Sequence, residues 1–201
     1  MKKEILLFKA LLILLSFTFF RVTIYSQIAV LKHSYTFDDG TAKDVIGNAN
    51  GTLNGGTIQD GVYIATASGQ YITLPADIIK INTYQAVTFE AFIISSESAP
   101  RNAMLYYFGG SINNNGAYGT FLTPNHWQGN GNTVAAISTV SENEPWTTET
   151  YVQSTNSLTM NGKHHAVVIL TSTEIILYID GKRIGSGLLA TQGNSISALS
   201  N

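Results

Sequence analysis

From residue 30 onward, apolar side chains fall in short runs, several of them alternating with polar ones, and each run is bounded by Gly, Asn, Asp or Ser. That is the pattern of strands with one buried face. In "HSYTFDDG", Tyr35 and Phe37 alternate with polar neighbours before two aspartates arrive side by side. Strands are expected at 32–37, 61–65, 71–74, 86–95, 104–108, 119–122, 133–139, 164–171, 174–180 and 182–186. No long segment with a 3.6-residue period follows residue 30, so the expected class is all-β, with the strands in two antiparallel layers.

The sharpest local signal is "EIILYIDGKRIGSG". Ile175, Leu177 and Ile179 point one way and Ile176 and Tyr178 the other, while Asp180-Gly181 supplies the two positive-φ residues of a type I′ turn. Residues 164–186 therefore read as a three-strand meander, and Asp180 has a structural role. "SINNNGAYG" and "HWQGNGN" suit turns, and Ser138–Gly162 reads as the longest irregular segment.

Residues 1–26 change the picture of where the chain works. Lys2 and Lys3 precede an apolar run from Ala10 to Phe20, and a small residue follows at Ser26. Lys9 and Arg21 bracket only eleven residues, too few for a span of roughly 20, so the segment reads as a signal peptide with cleavage near Ser26. The expected product, 27–201, is a bacterial secreted or cell-surface protein with no membrane span after cleavage. Without Lys2, Lys3, Glu4, Lys9 and Arg21 it keeps seven basic and twelve acidic side chains, a net charge of −5. With no basic cluster, nucleic acid is an unfitting partner. With no cysteine, an exported chain must rest on its core or a bound ion.

Four stretches resemble the laminin-G-like group of the concanavalin A-like lectins and glucanases: "YTFDDGTAKDVIGNANGTLNGG", "GQYITLP", "VTFEAFI" and "GKHHAVVILTSTEIILYIDGKRIGSG". They occur in the family's order across roughly residues 33–190. The resemblance implies a jelly-roll sandwich of two curved antiparallel sheets, in agreement with the strand pattern. There are two departures. Ala67, Ser68, Gly69 and Gln70 stand where family members commonly carry an aspartate-rich turn, and the chain stops at "SISALSN" where relatives continue to a closing strand. The domain is thus expected to be C-terminally incomplete, with an unpaired sheet edge open to association.

For chemistry, the fold family includes glycosidases, which need a pair of carboxylates. Glu90 stands alone in "VTFEAFI", and Glu142, Glu144 and Glu149 read as a solvated loop face, so no catalytic residue is assigned. His164 and His165 are consecutive on a strand and point to opposite faces, a poor geometry for sharing an ion. "DDGTAKDVIGNANGT" offers Asp38, Asp44, Asn48 and Asn50 as oxygen ligands for a structural calcium, with Asp39 making the turn. Similar domains hold calcium near this end. Carbohydrate binding would rest on Trp127 with Asn125 and Gln128, and on Trp146 with Tyr151: aromatic rings pack on sugar C–H faces while amides take the hydroxyls. The expectation is a non-catalytic exported module binding glycan. The alternatives are a protein-binding adhesion module of the cell surface and a glycan-cleaving enzyme of the same fold.

Overall fold

A computed structural model describes residues 28–96, 99–112, 115–127, 131–141, 144–158 and 160–200. The chain divides into two units, 1–32 and 33–201. Of the first only residues 28–32 are described, in irregular backbone, and the expected signal peptide lies outside the described residues. No helix among the described residues is long and apolar enough to cross a membrane.

The second unit is the expected all-β sandwich. Among the described residues its strands are β1 (Thr52–Asn54), β2 (Thr57–Gln59), β3 (Val62–Ile64), β4 (Tyr71–Thr73), β5 (Ala86–Ile94), β6 (Tyr106–Ile112), β7 (Asn115–Thr123), β8 (Asn132–Ser138), β9 (Thr150–Ser157), β10 (Lys163–Thr171), β11 (Glu174–Ile179) and β12 (Lys182–Leu188), with one α-helical turn, α1 (Ala76–Ile79), and four short 3-10 turns. Two four-stranded antiparallel sheets have the orders β12-β11-β10-β5 and β6-β7-β8-β9, and β1-β4 and β2-β3 form small ribbons. The meander is β10-β11-β12. Asp180 and Gly181 take φ of 51° and 75°, as a type I′ turn demands.

Period-2 alternation sends Val168, Leu170, Ile175 and Leu177 from one sheet against Leu122, Ala135, Ile137 and Val152 from the other, all buried in one cluster. Each large aliphatic side chain enclosed there contributes about 1.5–3 kcal/mol. Phe89 extends the packing across the layers, its ring 4.2 Å from that of Tyr106 and 5.3 Å from that of Phe108. The residues after β12 enter the same core: Leu189, Ile196 and Leu199 are buried in it. Asn194 pins them, accepting the Thr139 N–H at 2.6 Å and donating to the Thr148 carbonyl at 2.8 Å. β5 and β12 are the edges of one sheet, β6 and β9 of the other.

Three expectations need correction. Most of "SINNNGAYG" is strand and not turn, because β6 runs to Ile112 and β7 starts at Asn115. Residues 32–37 are not a strand: Phe37 sits at φ 60°, and the segment is held by side chains, with Ser34 N–H donating to Asp44 and the Tyr35 hydroxyl to the Ala49 carbonyl, in place of a ladder. The segment 138–162 is not mainly loop, because it contains β9. Small polar residues, Thr150 and Ser154, occupy two of the buried inward positions of β9, which masks its alternation.

Candidate functional site

The site grows from the outward face of β6-β7-β8-β9. The register sets Tyr107 beside Phe121, Phe121 beside Ala136 and Ala136 beside Tyr151, with Thr123, Val134 and Gln153 in the neighbouring row. These residues alternate with core residues and so point away from the sandwich. Yet Phe121, Val134 and Ala136 are buried in a second apolar cluster. A covering layer accounts for this. The Ser138 hydroxyl, next along the same face, donates to the Pro145 carbonyl at 2.8 Å and ties the 3-10 turn Pro145–Thr147 to the sheet. From the other side the His126 ring lies parallel to that of Phe121, with centroids 6.4 Å apart.

Between these covers a cleft of about 230 Å³ opens, lined by His126, Val134, Trp146, Glu149, Tyr151 and Gln153. Trp146 and Tyr151 stay 48% and 57% exposed, so their rings remain available to a ligand. Glu149 is half-buried, and burial pushes its carboxyl up to about 7, with no hydrogen bond among the described residues to offset it. Burial likewise lowers the His126 imidazole, which favours its neutral form. The cleft therefore offers two aromatic faces, a carboxyl group near its titration point, a neutral imidazole and an amide. Glu149 is the one acid among the described residues that line it.

Of the expected sugar ligands, Trp146 and Tyr151 come together here. Trp127 and Asn125 do not line the cleft. Trp127 is 66% exposed beside it in sequence, with the Arg101 guanidinium 5.5 Å from its ring centroid and its N–H donating to Asn102 Oδ1 at 2.8 Å. The Asn125 carbonyl accepts the Asn102 N–H at 2.8 Å, so both residues tie two loops together. Gln128 lies outside the described residues. Sequence reasoning missed that Glu149 and Gln153 line this cleft. Once β9 is recognised, the spacing Glu149, Tyr151, Gln153 puts all three on one face.

The aspartate-rich loop is organised differently from a set of ligands facing an ion. Asp44 is buried, and its oxygens accept N–H groups from Ser34, Ile46, Gly47 and Ala49 at 2.9–3.2 Å and lie 2.6 Å from His33 Nδ1. Burial pushes its carboxyl up, but the hydrogen bonds from His33, Gly47, Ser34 and Ala49 outweigh it and hold the group well below the usual carboxylate range. These oxygens are taken up by donors, which does not suit a calcium ligand. Asn50 Oδ1 accepts the Asp44 N–H at 3.0 Å. Asp38 and Asn48 are exposed, and Asp39 makes the turn by accepting the Thr41 N–H at 2.9 Å. No three described His, Asp or Glu side chains lie close enough to hold one ion.

The histidine pair is also structural in its contacts. His164 Nδ1 lies 2.8 Å from Asp180 Oδ2, the His165 N–H donates to Asp180 Oδ1 at 2.8 Å, and His165 Nε2 lies 2.8 Å from Glu90 Oε1.

The family model for the concanavalin A-like lectin/glucanases superfamily matches residues 66–199. The chain belongs to the concanavalin A-like superfamily. The match takes in β4 to β12 and every residue lining the cleft. Among solved structures, this superfamily member is similar to domain 4 of AbnA, an extracellular arabinanase from Geobacillus stearothermophilus, in complex with arabinotriose. The likeness has a TM-score of 0.53 and 18% identity, and covers 81% of this chain and 77% of that one. No curated protein matches the sequence.

Proposed function

We propose that the chain is an exported, non-catalytic carbohydrate-recognition module whose ligand lies in the cleft over β8 and β9. The observation that carries this reading is the convergence of Trp146, Tyr151, His126, Gln153 and Glu149 on one outward sheet face. The two rings take the C–H faces of a sugar, and the imidazole, amide and carboxyl take its hydroxyl groups. The arabinotriose bound to the similar arabinanase domain supports an oligosaccharide as the ligand class. Among the described residues only one lining acid is present, which supports recognition over cleavage, because glycosidases work with two carboxylates. The basic start and apolar run of residues 1–26 support export.

Calorimetric titration of the chain with arabinan oligosaccharides and with a wider glycan panel tests this. Trp146→Ala and Tyr151→Ala are each expected to weaken binding at least about tenfold, the loss of one stacked ring. Unchanged affinity in both, or release of reducing ends by the purified chain, overturns the reading.

A further inference from the structure

Resting on that recognition reading, we propose that the binding surface continues over the edge of β9 into a cationic subsite, and that the ligand is an acidic glycan bearing carboxylate or sulfate groups. A second cleft, of about 350 Å³, opens between β9 and the hairpin end of β11-β12. Its cations are Lys182 and Arg183, its polar wall is Thr155 and Asn156, and Gln153 lines it as well as the first cleft.

The shared Gln153 makes the two clefts neighbours along one strand. Tyr151, Gln153 and Thr155 follow each other on the exposed side of β9, so the aromatic platform and the polar wall are separated by about 14 Å of strand. A chain of a few sugar units spans that distance. No acid is among the described residues lining the second cleft. Arg183 Nη2 lies 4.0 Å from Glu174 Oε2 and donates to Ser186 Oγ at 2.8 Å, and Asp180 stands two residues before Lys182 in the turn. Both cations are exposed, in a chain whose net charge is negative, so they form a local feature and not part of a general basic surface. A guanidinium fork and an ammonium beside amide and hydroxyl groups suit an anionic oxygen cluster. Leu158, Ile179 and the half-buried Ile184 form the apolar floor of the same cleft.

Calorimetry with polygalacturonate, a sulfated galactan and neutral arabinan, on the wild type, Trp146→Ala and the double variant Lys182→Gln/Arg183→Gln, tests this. At low salt one acidic polymer is expected to bind about tenfold tighter than arabinan, and which one shows whether the anion is carboxylate or sulfate. The double variant and about 0.5 M salt should each remove that advantage while leaving arabinan binding as it was. Acidic preference that survives in the double variant, or no preference at all, overturns the cationic subsite. The recognition reading then stands if binding is still lost in Trp146→Ala. Absence of binding to every polymer overturns both.

Discussion

Oδ2 of Asp44 lies 2.6 Å from Nδ1 of His33, and the four backbone N–H groups around the carboxylate leave Asp44 only 2% exposed. One side chain thereby replaces a strand ladder in organising residues 33–50. Asp44→Asn keeps the shape but turns an N–H-bearing group toward these donors. It is expected to lower stability by about 3 kcal/mol, or roughly 6–12 °C in melting midpoint. The sign with pH follows from the lowered pKa. The Asp44 contribution is complete above the ordinary value of 3.8 and disappears as pH falls below it, so the wild type should lose stability in acid more steeply than Asp44→Asn. Chemical denaturation at pH 7 and pH 3 measures both.

The same bonds predict the response to calcium. Because donors already surround the Asp44 oxygens, melting curves in calcium and in chelator are expected to coincide. A difference above about 3 °C would show that a metal contributes.

Glu149 titrates in the opposite sense. Folding raises its carboxyl from 4.5 to about 7, so the folded state binds the proton more tightly and stability falls as pH rises through that interval, then levels off above it. The shift corresponds to a penalty on the order of 3 kcal/mol for carrying the charge. Glu149→Gln should remove this slope and raise stability at pH 8 by up to that amount, seen as a higher denaturation midpoint. A mutant curve parallel to the wild type between pH 4.5 and 7 would contradict the burial argument.

The glycines of "GGSINNNGAYG" have a packing role beyond turn-making. A Cβ at Gly109, Gly116 or Gly119 would meet the Tyr107 ring or hydroxyl at 2.6–2.8 Å. That hydroxyl donates to the Gly110 carbonyl at 2.8 Å and accepts the Ala117 N–H at 3.0 Å. Gly119→Ala must displace the ring and break both bonds, with an expected loss of about 2 kcal/mol. Combining it with Tyr107→Ala should cost less than the sum of the two changes, because the clash is then gone; strict additivity in a double-mutant cycle would refute the contact.

The residues show why some of this was legible in sequence and some was not. β10, β11 and β12 announce themselves through alternating aliphatics and Asp180-Gly181, since burial on one face and a turn needing positive φ act locally. β9 hides because it sits at a sheet edge with Thr150 and Ser154 facing inward, where hydrogen bonds satisfy them: Ser154 Oγ accepts the Thr133 N–H at 2.9 Å, and Thr150 Oγ1 accepts from Asn194 at 3.0 Å. Hidden with it was the outward row of β9, so Trp146 and Tyr151 stood out in sequence as exposed aromatics, but Glu149 and Gln153 did not stand out as their neighbours in the cleft. Asp38, Asp44, Asn48 and Asn50 look alike in sequence as oxygen donors. Only the fold shows that Asp44 is enclosed by N–H groups while Asp38 and Asn48 face solvent.

The two tryptophans have different surroundings. Trp146 lines the cleft, whereas Trp127 packs under Arg101, whose Nη1 donates to the Trp127 carbonyl at 3.0 Å. An exposed cation–π contact contributes about 0.5–1 kcal/mol. Trp127→Ala is therefore expected to lower stability by about that much and to leave sugar affinity within about twofold of wild type, while Trp146→Ala lowers affinity with little effect on stability. Parallel melting and titration of the two variants read both quantities. Loss of affinity in Trp127→Ala equal to that in Trp146→Ala would extend the binding surface across the loop of residues 124–127, past the His126 ring that covers Phe121.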